Sequence, residues 1–194
     1  DAIPNVVFNT AALEAVGSLR VQREPLGLTG LGCVFVCIDS GIDYTSPVFR
    51  RADGSSRILA IWDQEEQSGT PPEGFLYGSE YVREQINGAL GSDNPYEIVP
   101  TRDIAGRHGT ALASIAVGSS LEEGTSFLSA APDADIVVVK LKQAKPYLKE
   151  YYLVLEDTPC YQETDVLTAL KYAIGYAEAL RRPVCICLGI GTSF

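Results

Sequence analysis

Residues 32–43 read Gly32-Cys33-Val34-Phe35-Val36-Cys37-Ile38-Asp39-Ser40-Gly41-Ile42-Asp43. The apolar run 33–38 stops abruptly at an aspartate, a serine and a glycine. A short continuous apolar run bounded by turn residues is a strand buried on both faces, the usual state in a parallel sheet. Open α/β sheets bind and react at the carboxyl ends of their strands, which is where this pattern puts Asp39. The plainer reading is that Asp39 caps a turn, a role its residue type also suits.

Three further runs, 57–62, 136–139 and 184–188, repeat the strand pattern, and the last is expected to be another central strand. Helical patterns separate them. Thr10 is placed to cap a short helix running to Leu19. Ser79 is placed to cap a helix whose Val82, Ile86 and Leu90 form one stripe, closed by Gly91. Residues 109–117, rich in alanine, read as a close-packing helix, and 140–161 as a solvent-facing excursion of alternating charge and tyrosine. Thr164 then caps an amphipathic helix that buries Val166, Leu170, Ala173, Ile174, Ala177 and Leu180 and stops at Arg181-Arg182-Pro183. Strands alternating with helices predict an α/β fold, a doubly wound parallel sheet within a single domain over 1–194.

Composition excludes several classes of function. The net charge of −10 argues against nucleic acid, because phosphate contacts need clustered Lys and Arg. No apolar stretch reaches the roughly 18 residues of a membrane span. Of the five cysteines none forms a Cys-x-x-Cys pair and there is one histidine, so a zinc site is not expected and no metal ligand set is assigned. They are read as small buried hydrophobes, which suits a reducing or anoxic setting. The chain has no methionine, and its first residue is expected to arise by processing or engineering.

The single histidine lies in Gly106-Arg107-His108-Gly109-Thr110-Ala111-Leu112-Ala113-Ser114, where a loop enters the small-residue helix. Asp39-Ser40-Gly41-Ile42-Asp43 and His108-Gly109-Thr110 together resemble the Asp and His signatures of the subtilisin-like serine peptidases, in that family's order Asp, then His. The resemblance extends to Ser129-Ala130-Ala131-Pro132 before the strand at 136–139. The Ile58-Leu59-Ala60-Ile61-Trp62-Asp63-Gln64 strand and its following helix resemble an insertion of the clostridial, Csp-like members.

The resemblance implies a subtilisin-like sheet and hydrolysis of peptide bonds, with Asp39 as the orienting aspartate and His108 as the general base. It also implies that Cys187-Leu188-Gly189 stands where the family has its substrate-binding Ser-Leu-Gly segment. Ser193 follows that segment directly and is rejected as the nucleophile. The family's serine opens a buried helix much further downstream. The chain therefore resembles the N-terminal half of such a domain, truncated before the serine and the oxyanion-hole asparagine, and by itself is expected to be inactive.

Arg107 stands where the family usually has glycine. Calcium is a common family ligand, and Asp43, Asp63 and Asp103 lie near the motifs, though no spacing specifies a site. The expected partner is a peptide or protein substrate, with no nucleic acid and no membrane. Self-association through an uncovered strand edge is expected. An exported or spore- or cell-envelope setting follows from the resemblance alone. Two rival readings are a catalytically dead subtilase-like pseudopeptidase used for binding or signalling, and an unrelated flavodoxin-like module. The second lacks a glycine-rich phosphate loop after the first strand.

Overall fold

The computed structural model describes residues 6–103, 106–119 and 129–191, with side chains from residue 11 onward. Among them, five strands form one sheet: β1 (Val34–Asp39), β2 (Ile58–Asp63), β3 (Ser79–Val82), β4 (Asp135–Lys140) and β5 (Val184–Leu188). The order is β3-β2-β4-β1-β5. β2, β4, β1 and β5 run parallel, and β3 is an antiparallel edge strand on β2. The sheet is doubly wound α/β, as the alternation of apolar runs and helices predicts.

Each face carries its own core. On one face Phe35, Cys37, Ile136, Val138, Ile58 and Ile61 pack with α3 (Arg83–Leu90) and α5 (His108–Val117). On the other, Val34, Val36, Ile38, Val137, Val139 and Trp62 pack with α7 (Glu163–Leu180). Alternation puts odd and even residues of β1 on opposite faces. Ile58 and Ile61 share a face despite their odd spacing because the register of β2 on β4 shifts between Ile58 and Ala60. All six residues of β1 and of β4 are buried.

Several expectations are corrected. The first helix starts earlier than Thr10: α1 is Val6–Ala15, and α2 (Ser18–Gln22) follows a break at Gly17, whose φ is 78°. Ser79 does not cap a helix. Its hydroxyl donates to the Glu66 carbonyl and accepts from Gly69 N–H, which holds 79–82 as strand β3, so α3 begins only at Arg83. Val82 is consequently exposed, while Ile86 and Ala89 are buried, and a short helix, α4 (Pro95–Ile98), follows α3.

Thr164 lies inside α7, whose cap position is Gln162. Ile174 faces solvent, and the buried stripe is Asp165, Ala169, Tyr172 and Ala173. The excursion after β4 contains a short helix, α6 (Pro146–Tyr151), with Tyr147, Tyr151 and Tyr152 exposed as expected. Lys140 does not belong to it. It is buried at the end of β4, bonded to Asp63 at 3.0 Å and Glu65 at 3.1 Å. Among the described residues the strand at 184–188 is an edge strand, pairing with β1, and Cys185, Ile186 and Leu188 are exposed. Of the cysteines only Cys37 is fully buried. Among the described residues no helix is long and apolar enough to cross a membrane.

Candidate active site

Asp39 is the last residue of β1 and its side chain is 1 % exposed. The Ser40 N–H donates to its Oδ1 at 2.6 Å, which fixes the carboxylate. Gly41 then turns the chain with φ 130°, and a side chain there would meet the Arg102 carbonyl oxygen at 2.9 Å. Only glycine combines that backbone conformation with that closeness.

His108 opens α5. The helix reaches β1 because residue 109 is glycine: a Cβ at Gly109 would lie 2.3 Å from the Gly41 carbonyl oxygen. His108 Nδ1 is 2.9 Å from Asp39 Oδ1 and 3.1 Å from Oδ2, a charge-assisted geometry. The carboxylate can only accept, so Nδ1 carries the proton and Nε2 is left as the basic nitrogen. The bond to Asp39, and then that residue's charge, hold the imidazole pKa above its usual value. The side chain is 57 % exposed, so this base is open to an incoming group while its partner is sealed.

Arg107 has φ 63°, in the left-handed region, at the cap position of α5. Such a φ disfavours any residue with a side chain. The backbone thus explains why glycine suits this position. The Arg107 guanidinium reaches Asp43 at 3.7 Å.

β5 delivers the third component. The Gly189 N–H donates to the Ile38 carbonyl at 3.0 Å, and a Cβ on Gly189 would lie 1.8 Å from Asp39 Oδ2 and 3.0 Å from Leu112 Cδ1. Gly189 therefore packs directly on the buried carboxylate. Cys187 lies opposite Cys37 in register and packs on the α5 side. Burial, then the nearby Asp39 charge, hold its thiol above the usual pKa and so protonated. Leu188 is 44 % exposed. Asp39, His108 and Gly189 are brought together, with Cys187 and Leu188 just before them. Ser193 lies outside the described residues.

Sequence reasoning missed a hydrogen-bonded network behind the pair. Asp103 Oδ1 accepts from Ser40 Oγ at 2.7 Å, and its Oδ2 accepts from Thr110 N–H at 2.8 Å and Thr110 Oγ1 at 2.6 Å. Ser40 Oγ in turn accepts from Gly109 N–H at 3.1 Å. The Ser40 and Thr110 hydroxyls beside the motifs were the available signal.

The three carboxylates named for calcium are engaged within the chain. Asp63 is bonded to Lys140, Thr101 and two backbone N–H groups. Asp43 accepts from Thr45 and Tyr96, and Asp103 is occupied as above. Among the described residues no three His, Cys, Asp or Glu side chains cluster for a metal. A cleft of about 380 Å³ lies between α6 and residues 160–164, lined by Leu148, Tyr152, Val154 and Tyr161, and includes neither Asp39 nor His108.

No family model and no curated protein matches the sequence. Among solved structures, the chain matches the CspB protease of Clostridium perfringens with a TM-score of 0.72 and 27 % identity. The match covers 91 % of this chain but 32 % of that protein, so the chain spans about a third of its length. In fold, therefore, nearly the whole of this mixed α/β chain is similar to one part of a clostridial protease.

Proposed function

We propose that the chain carries the aspartate and histidine of a serine endopeptidase of the subtilisin-like kind, similar in type to the clostridial Csp proteins. The observation that carries this reading is the 2.9 Å contact between His108 Nδ1 and a carboxylate that is 1 % exposed. A buried carboxylate bonded to Nδ1–H fixes the imidazole tautomer and stabilises the imidazolium once Nε2 takes a proton. In peptide hydrolysis that proton comes from a serine hydroxyl as its oxygen attacks the carbonyl, and it then goes to the leaving amine. Asp39 does not change protonation in either step. Gly189 keeps a side chain out of the space above Asp39, and the backbone of 187–189 is the natural rail for an extended peptide.

The partner is accordingly a peptide or protein substrate. The serine and the oxyanion donors are not assigned to any described residue. The test uses a protein that contains this chain, incubated with a fluorogenic peptide and a fluorophosphonate probe. Hydrolysis that falls about 10⁴-fold in Asp39→Asn and in His108→Ala supports the reading. Hydrolysis unaffected by either substitution overturns it. The 194-residue chain alone is expected to show neither hydrolysis nor serine labelling.

A further inference from the structure

We infer that Asp103 is a positioning residue: with the Ser40 hydroxyl, its carboxylate clamps the first turn of α5 to the end of β1 and so holds His108 on Asp39. That this matters to a reaction rests on the proposed function. The clamp itself rests on geometry alone.

The first N–H groups of a helix have no partner within it and are usually bonded by a cap side chain. At α5 the cap position is Arg107, whose side chain makes no cap bond. The duty falls instead on side chains from outside the helix. Ser40 Oγ takes the Gly109 N–H, and Asp103 Oδ2 takes the Thr110 N–H and hydroxyl. The two acceptors are joined, because Ser40 Oγ donates to Asp103 Oδ1 at 2.7 Å. Ser40 is also the residue whose N–H fixes the Asp39 carboxylate. One residue therefore orients Asp39 through its backbone and the helix of His108 through its side chain, with Asp103 locking the hydroxyl in place.

A second tie works in the same direction. Thr110 Oγ1 accepts from Asp43 N–H at 2.9 Å, which binds α5 to the segment after the Gly41 turn. Asp103 is held in place because the backbone at 102–103 lies against Gly41. Arg102 in turn stacks over the Tyr96 ring at 3.8 Å, and the Tyr96 hydroxyl bonds Asp43 at 3.0 Å. The loop, the strand end and the helix start form one hydrogen-bonded unit behind the imidazole. Its negative end at the helix N-terminus also suits the helix dipole.

An ordinary helix cap would stabilise α5 without touching the histidine's chemistry. The two roles are separated by the imidazole itself, which is the only one in the chain and gives a single set of ring signals. The charged groups that act on it are Asp39 from β1 and Asp103 from the preceding loop. Ring nitrogen NMR across a pH titration reads both the midpoint and the tautomer.

In the native chain the midpoint should lie above the ordinary value of about 6.5, and the neutral ring should carry its proton on Nδ1. Ser40→Ala removes no charge, yet should lower the midpoint and reduce the Nδ1–H share. Asp103→Asn should do the same. Ile115→Gly on the exposed side of α5 weakens the helix without touching the clamp, and should leave both readings native. Circular dichroism checks that each variant is folded. The inference is overturned if Ser40→Ala and Asp103→Asn keep the native tautomer, or if Ile115→Gly shifts it as much. Failure here with peptide hydrolysis intact removes the role of Asp103 and leaves the proposed function standing. The expected titration without hydrolysis does the reverse.

Discussion

β1 and β5 are neighbours with nearly the same vocabulary, Val-Phe-Val-Cys-Ile in one and Val-Cys-Ile-Cys-Leu in the other. Every residue of β1 is buried, and none of β5 is. The difference comes from position in the sheet. Among the described residues β1 has β4 on one side and β5 on the other, with a helix on each face, whereas β5 has β1 as its one neighbour. An apolar run declares that a strand is built for burial, but the number of its neighbours decides how much burial it obtains. β5 is tightly packed only at its end, where Gly189 meets Asp39.

The widest gap should appear in stability. Ile38→Ala in β1 removes a fully buried side chain and should cost about 4 kcal/mol, whereas Ile186→Ala in β5 should cost about 1 kcal/mol or less. Urea unfolding of both variants measures the difference, and equal costs would break the comparison. Next comes the point where the strands converge. Gly189→Ala drives a methyl group into the Asp39 carboxylate and should destabilise by about 3 kcal/mol while disturbing the His108 resonance. A native-like variant would mean that β5 does not rest on Asp39.

The exposed strand should also reveal itself in association. We expect the chain to self-associate through the β5 edge in a concentration-dependent way, because unpaired edges with apolar side chains recruit further strands. Sedimentation velocity should show association in the native chain and its loss in Ile186→Lys. A strict monomer at high concentration removes this expectation.

The smallest effect concerns pH. The His108 pKa is raised on folding by its bond to Asp39. Its stabilisation is therefore complete below the unfolded imidazole's value of about 6.5, and is lost as pH rises through the higher folded value. Exposure of the ring screens the pair, so the effect is modest. The difference in melting temperature between the native chain and His108→Gln should be wider near about pH 5.5 than near about pH 8.5. A gap that is constant, or wider at the higher pH, would contradict the pairing.

Much of this is legible in the sequence. β1, β2 and β4 announce themselves as apolar runs closed by polar residues, and the Asp39 and His108 motifs are local enough to read. What escaped was decided at long range. Ser79 has the look of a helix cap, and only its bonds to Glu66 and Gly69 reveal it as the start of a strand. Lys140 looked solvent-facing because nothing nearby in sequence shows that Asp63 waits beside it. The clamp joins Ser40 to Asp103 across 63 positions and leaves no periodic trace.

Lys140 occupies a consequential place in that arrangement. Across the sheet it is the register partner of Asp39 on one side and of Asp63 on the other, so a single buried cation stands in a row between two carboxylates. Burial works against its charge, but Asp63 and Glu65 more than compensate and hold the ammonium protonated. Were it to turn toward Asp39 instead, it would compete with the imidazole for the same oxygens. Thr101 and the backbone N–H groups of Glu65 and Glu66 anchor Asp63 where it can keep the lysine. The acid at the far side of the row thus acts as a decoy that takes the lysine's charge, and the carboxylate at the near side is left to the imidazole.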